Sequence, residues 1–222
     1  MQRAIPCVGA VLLLPLIDLL SATGLASPRA QEPTGRGLLG ASLGYSFPLG
    51  SLEEGSRASD VTPGIASIAV DGGYRANFRC AAIAELGYGV VIPKLCASAG
   101  ECSASLGSEV TLTLGTRFYP GRLGRIEPSI ELGFGYEWFN SKLTDESATS
   151  SRSYRGPVFM LAGVAAEFRV GSSFTLGPSL STLLGAFSHS GLEASGIDRT
   201  ETVDGVAVHG WLHLALRGHF EI

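Results

Sequence analysis

From about residue 37 to the last residue, apolar and polar positions alternate. Leu39, Ala41, Leu43, Tyr45 and Phe47 interleave with Gly40, Ser42, Gly44 and Ser46. A period of two is the mark of a strand with one apolar face. About ten residues alternate, which is long for a half-buried soluble strand and enough to cross a bilayer as a tilted one. Seven further stretches repeat the pattern, and the eight fall at about 37–47, 64–75, 79–91, 108–119, 126–138, 156–170, 174–187 and 205–222. The connections alternate as well. Those after the second, fourth and sixth stretches are short, and those after the first, third, fifth and seventh are long and polar, at about 48–63, 92–107, 139–155 and 188–204. Short turns at one end and long loops at the other are the plan of an outer-membrane barrel.

The charges test this frame. With each strand's lipid face set by its apolar residues, Asp71, Arg75, Glu85, Glu109, Arg117, Glu131, Glu137, Glu167, Arg169 and Arg217 all fall on the opposite face. An Arg or Lys facing lipid at the midplane costs roughly 2–4 kcal/mol, so a wall free of charge is expected. A one-residue slip would invert every face and put these charges into lipid. The aromatic residues sort by depth. Tyr45, Tyr88 and Tyr136, joined by Phe47 and Trp138, stand at the outer ends of the first, third and fifth stretches. Tyr74, Phe118, Phe168 and Phe220 stand at the inner ends of the second, fourth, sixth and eighth. Two belts of this kind match the two interfaces of a bilayer.

Composition agrees. Of 222 residues 45% are hydrophobic and only 16% charged, against about 25% charged in soluble domains. The net charge of −4 argues against a nucleic-acid partner. Residues 1–26 read as a cleavable helical signal peptide. Arg3 supplies the positive region, Val8 to Leu20 the apolar run, and Gly24-Leu25-Ala26 the small residues before the cut, with a second possible cut after Ala30. Residues 27–36 are a short periplasmic lead, and 37–222 the barrel domain. Export permits disulfides. Cys96 and Cys102 share one polar loop and are expected to bridge, whereas Cys80, at the far end of a strand, is expected to remain free.

On strand count, loop alternation and belts, residues 37–222 resemble the small eight-stranded outer-membrane barrels of the OmpA-like and OmpX-like type. Gly115-Thr116-Arg117-Phe118-Tyr119 is similar to their strand endings, and the final strand, alternating through Leu212, Leu214, Leu216, Phe220 and Ile222, to the signal read by the barrel assembly machinery. The resemblance implies an all-β, eight-stranded antiparallel up-and-down transmembrane barrel in the outer membrane of a Gram-negative-type envelope. It implies outer-membrane lipid and lipopolysaccharide as surroundings and a monomer with a structural or surface-interaction role.

Four places carry candidate chemistry. Glu85, Arg117, Glu131, Glu167, Arg169 and Arg217 form an expected lumen ion-pair network, read as structural and alternatively as the gate of a narrow solute or ion channel. His209, His213 and His219 face the lumen, but His209 and His213 stand about 13 Å apart along a strand, too far to share a metal. No metal and no cofactor is expected. His189, Ser190 and Glu193, at an outer strand end, are the weak catalytic candidates. Barrel deacylases of lipid A place a His, a Ser and an acid at that face, but as a His-x-Ser pattern, whereas here the two residues are adjacent. The outer loops are the fourth place, rich in Ser, Gly and charge and without a basic cluster.

Overall fold

The computed structural model describes residues 35–53, 56–92, 107–144, 149–194, 197–202 and 207–222. The signal peptide, most of the lead, and both Cys96 and Cys102 lie outside the described residues. The elements are β1 (Arg36–Glu53), β2 (Ser56–Arg57), α1 (Ala58–Val61), β3 (Gly64–Arg75), β4 (Cys80–Ile92), β5 (Gly107–Phe118), β6 (Ile126–Thr144), β7 (Thr149–Arg169), β8 (Phe174–Ala186), β9 (His189–Ala194), β10 (Ile197–Thr202) and β11 (Val208–Glu221).

Eight of these strands close a ring in which every pair is antiparallel. The order is β1-β3-β4-β5-β6-β7-β8-β11, and β11 returns to β1 from Leu38↔Glu221 to Gly50↔His209. Closure follows from the solvent. Hydrocarbon offers no hydrogen bonds, so a sheet edge within it would leave a row of peptide groups unpaired.

Facing follows the alternation. Leu112, Leu132, Met160 and Leu214 are exposed on the outer wall. Asp71, Glu109, Arg117, Glu131, Glu167 and Arg217 are buried inside the ring. Tyr74, Tyr88, Trp138, Phe168 and Phe220 lie open on the wall. Tyr45 and Tyr136, half-buried, lean on the neighbouring wall residues Phe47 and Trp138 at ring distances of 4.9 and 4.7 Å. Phe118 also lies half-buried on this face.

Three features depart from the expectation. The first is length. β1, β6 and β7 run past the outer belt, and the segment expected as the last long loop forms the hairpin β9–β10, with β9 paired to Ser150–Arg155 of β7. Outside the bilayer neither face of a sheet must be apolar, so Asn140, Ser141 and Lys142 continue a strand without the alternation that marks one. The second is a bulge in β7. Val158 and Met160 pair with the consecutive residues Gly185 and Leu184 of β8, leaving Phe159 extra. Phe159 and Met160 both face outward, and the parity inverts: Tyr154 and Val158 are buried before the bulge, Leu161, Ala165 and Glu167 after it. The third concerns Cys80, which is disulfide-bonded rather than free. Distance from the outer loop argued only against Cys96 and Cys102, and the partner sulfur lies outside the described residues.

The wall's register yields a test. Leu132→Arg puts a guanidinium on the lipid face of β6 and is expected to destabilise the barrel by roughly 2–4 kcal/mol if the site lies near the midplane. Urea titration of the protein folded in lipid vesicles measures it, and equal midpoints for variant and parent would contradict the register.

Candidate functional site: the closed lumen

The interior is layered. At the outer end the ring is stoppered by apolar side chains. Leu52 of β1, Ile65 of β3, Val91 of β4, Phe139 of β6, Tyr154 and Val158 of β7, Leu183 of β8 and Trp211 of β11 meet with Phe187 in one buried cluster. Ala58 of α1 completes it from above, and Val61 packs against it. The Phe139 and Trp211 rings stack at 5.7 Å, and Tyr154 and Phe187 lie 5.3 Å apart. The alternation that points apolar residues outward along the wall reverses here, because beyond the belt the lumen is the only dry place left.

Glu137, Trp211 and His209 hold one another within this stopper. Glu137 accepts a hydrogen bond from Trp211 Nε1 at 2.8 Å and stands 2.8 Å from His209 Nε2. The His209 ring stacks on Phe187 at 3.8 Å. Glu109 is fully enclosed, and its Oε1 has no hydrogen-bond partner.

Below the stopper is a chamber of about 70 Å³, lined among others by Ser42, Glu85, Thr111, Ser181 and His213. A space of this size and polarity holds a few waters. His213 hydrogen-bonds Ser46 of β1.

The inner half is an ion-pair lattice. Arg117, with no exposed surface, donates to Glu131 Oε2 from Nε and Nη2 at 3.1 and 3.0 Å. Arg217 donates to the same oxygen at 2.8 Å, to Glu167 at 3.0 Å and to Ser129 at 3.0 Å. His219 links two acids. Its Nδ1 is 3.0 Å from Glu167, and its Nε2 lies 3.0 Å from Asp71 and 2.6 Å from Arg117. Thr175 donates to Glu167 at 2.6 Å. Gly40 makes room for this lattice, since a Cβ there would strike both the His219 ring and the Asp71 carboxylate.

At the inner rim Arg75 donates to Glu127 and Glu221, each at 2.7 Å, and its guanidinium lies over the Tyr119 ring at 4.0 Å. Arg36 donates to Glu221 at 2.7 Å.

A closed ring with an apolar wall, a filled lumen and short turns at one end can now be compared with known structures. No protein-family model matches the chain, and no curated protein matches it. Solved structures do. A major outer membrane protein from Thermus thermophilus superposes with a TM-score of 0.61 at 16% identity, over 86% of this chain and 100% of that one. OprG from Pseudomonas aeruginosa gives 0.52 at 11%, over 87% and 98%. Neisserial surface protein A gives 0.50 at 9%, over 84% and 97%. The fold is that of the small outer-membrane barrels. With the apolar wall and its two belts, it places the chain in the outer membrane.

Within this barrel the sequence candidates separate. Arg117, Glu131, Glu167 and Arg217 are joined in one lattice. Arg169 belongs instead to the inner rim, 3.5 Å from both Glu127 and Glu221. Glu85 lines the chamber and makes no ion pair among the described residues. The three histidines go to three different sets of partners, and no group of side chains among the described residues is arranged to hold a metal. His189 Nδ1 meets Ser188 Oγ at 2.9 Å, not Ser190. His189 and Ser190 are consecutive residues of β9, so the pleat turns them to opposite faces.

The lattice members that sequence reasoning left out of the network are Asp71 and His219, together with the aromatic stopper. Lumen facing was legible for Asp71 and His219, but pairing depends on how far around the ring each side chain reaches. Glu131 is the shared acceptor of two arginines. Glu131→Gln is therefore expected to leave buried cations uncompensated and to destabilise the fold by about 3–5 kcal/mol. Urea unfolding from lipid vesicles checks it.

Proposed function

We propose that this protein is a closed, non-conducting outer-membrane barrel whose work is done at its outer end by interaction with surface material. The stopper carries the first half of this reading. Opening it would expose Trp211, Phe139, Phe187 and Tyr154. Large apolar side chains contribute roughly 1.5–3 kcal/mol each on burial, so the open form would cost roughly 6–12 kcal/mol and be populated about once in ten thousand or less. The channel alternative needs that cost to be overcome by a stimulus that nothing in the lumen suggests. The lipid A deacylase alternative lacks an assembled nucleophile and base.

The second half rests on the outer sheet. β6, β7, β9 and β10 form a continuous four-stranded platform beyond the outer belt. Arg152 of β7 pairs with Glu53 of β1 at 2.7 Å and ties the platform to the neighbouring loop. Both side chains are partly exposed, so the pair orients the loop more than it stabilises the fold. A broad strand platform suits polar contact with lipopolysaccharide sugars or with another cell's surface. The outward alternation of β11, through Leu212, Leu214, Leu216 and Phe220, supports recognition by the barrel assembly machinery during insertion.

Planar-bilayer recording tests the closed state. The mature chain is expected to give no conductance steps, and Phe139→Ala with Trp211→Ala in one chain is expected to give small ones. Steady conductance from the parent chain would contradict the reading. Removing residues 189–202 is expected to leave the barrel folded by heat-modifiable gel migration while reducing attachment of expressing cells to lipopolysaccharide-coated or host-cell surfaces. Unchanged attachment would remove the platform from the function.

A further inference from the structure

The outer belt holds a cation. Tyr88, Val110, Trp138, Arg155 and His189 stand side by side in the ladder, one row across β4, β5, β6, β7 and β9. Trp138 lies on the outward wall, and residues directly opposite in a sheet share a face, so Arg155 and His189 point outward with it. Arg155 is exposed, and its guanidinium makes no hydrogen bond or ion pair among the described residues. No carboxylate stands in this row. The next row inward, with Leu112, Tyr136 and Pro157, carries no charge. Arg155 is thus an unpaired cation set among belt aromatics, at the depth where lipid head groups begin.

The groups around this cation are held in place. The Arg155 carbonyl accepts the Ser188 N–H at 3.0 Å and the Ser188 Oγ–H at 3.3 Å. Ser188 Oγ also lies 2.9 Å from His189 Nδ1, which leaves Nε2 as the nitrogen of that ring with no partner among the described residues. One row farther out stand Asn140, Ser153 and Gly191. Asn140 and Ser153 are exposed. A Cβ on Gly191 would come within 2.5 Å of Ser153 Oγ, so the glycine lets that hydroxyl lie across the neighbouring strand. This row too is free of carboxylates. From the membrane outward, the wall therefore presents an exposed indole beside a free guanidinium, then a low shelf of amide and hydroxyl groups.

The geometry points to a binding site for the phosphorylated sugar head group of an outer-leaflet glycolipid, with Arg155 on a phosphate, the Trp138 ring against a sugar, and Asn140 and Ser153 on its hydroxyls. A planar guanidinium matches phosphate oxygens in pairs. An indole at the interface offers an apolar face to the C–H side of a sugar ring. His189 Nε2 adds a polar contact beside the phosphate. The order of the two rows decides between the sources of a phosphate. A phospholipid would engage Arg155 and leave the shelf above it uncovered. A glycolipid carries hydroxyl groups beyond its phosphate and covers both rows. The inference rests on the surface-interaction reading for the outer-membrane setting and deepens it, since the occupant is glycolipid of the cell's own outer leaflet, met sideways on the wall.

Native mass spectrometry of the mature chain, released from mixed micelles, reads the site directly. The probes are diphosphorylated lipid A, the same lipid A with its phosphates removed, and phosphatidylglycerol. Retention of the phosphorylated form is expected to exceed that of the dephosphorylated form by about five-fold or more, and Arg155→Gln to lower it by about five-fold, the effect of one basic residue near a charged surface. Asn140→Ala with Ser153→Ala in one chain should weaken phosphorylated lipid A by about three-fold, the effect of a lost hydrogen bond, and leave phosphatidylglycerol unchanged. Equal retention of the two lipid A forms, or no effect of Arg155→Gln, would overturn the site. Phosphatidylglycerol held as tightly as phosphorylated lipid A, with the shelf variant silent, would make it a general anionic-lipid site and overturn the glycolipid assignment. Heat-modifiable migration, followed in parallel, reports whether each chain is a folded barrel, and the comparison of lipids on the parent chain stands whether or not a variant folds. A parent chain that fails to insert would overturn the outer-membrane reading and this site together, an outcome distinct from an inserted barrel that does not distinguish the lipids.

Discussion

Every feature of this barrel depends on one property of its solvent, which is that hydrocarbon offers the backbone no hydrogen bonds. An eight-stranded sheet with an open edge would leave about five N–H and five C=O groups on each edge strand unpaired, each costing several kcal/mol. The pairing of β1 with β11 from Leu38 to Gly50 removes that cost by ending the edges altogether. Once the ring is closed, each side chain has only two directions available, lipid or lumen. The period of two then fixes which, and eight strands fix how much room the lumen holds. The inward charges are a consequence. They cannot reach lipid, and a ring this narrow brings them within reach of one another across it, as Arg217 reaches Glu131, 86 positions away in the chain, at 2.8 Å.

The bulge in β7 shows how strictly that period is enforced. Tyr154 and Leu161 are both buried in the lumen although they lie an odd number of positions apart. A regular strand would send one of them into lipid. One extra residue, Phe159, corrects the parity, and both Phe159 and Met160 spend the irregularity on the apolar wall, where two consecutive outward side chains carry no penalty. The bulge also sits at the transition between the stopper above and the chamber below. It lets one strand serve an apolar interior at its outer end and a polar interior at its inner end without a change of partner strands.

What the sequence made legible is what the period controls. Strand number, facing, closure and the alternation of turn lengths followed from apolar spacing, because lipid applies the same demand at every second residue. Three things escaped it. Beyond the belts the demand lapses, so Asn140 to Lys142 and the hairpin β9–β10 gave no periodic signal, yet formed strands. Facing is one-dimensional, whereas partners are chosen around the ring, so Arg169 was grouped with a lattice that its depth keeps it out of, and Glu85, level with Asp71 in the β3–β4 register, with one that it joins by no ion pair among the described residues. Apolar residues in the first outer loop, Leu52 and Ala58, read as part of a solvated connection, yet they fold back to fill the stopper.

The two halves of the lumen also resist change in different ways. In the inner half each charge is held by a neighbour's opposite charge, and displacing one side chain exposes others, as the sharing of Glu131 between Arg117 and Arg217 requires. In the outer half the aromatic stopper is held chiefly by dryness, with Glu137 bonded to Trp211 and His209 within it, and it would give way only if water or a ligand covered the same area. The inner end is thereby held by its charge pairing. The outer end is the part that a bound surface molecule could remodel, since contact there trades one dry interface for another while the charged lattice below stays shut.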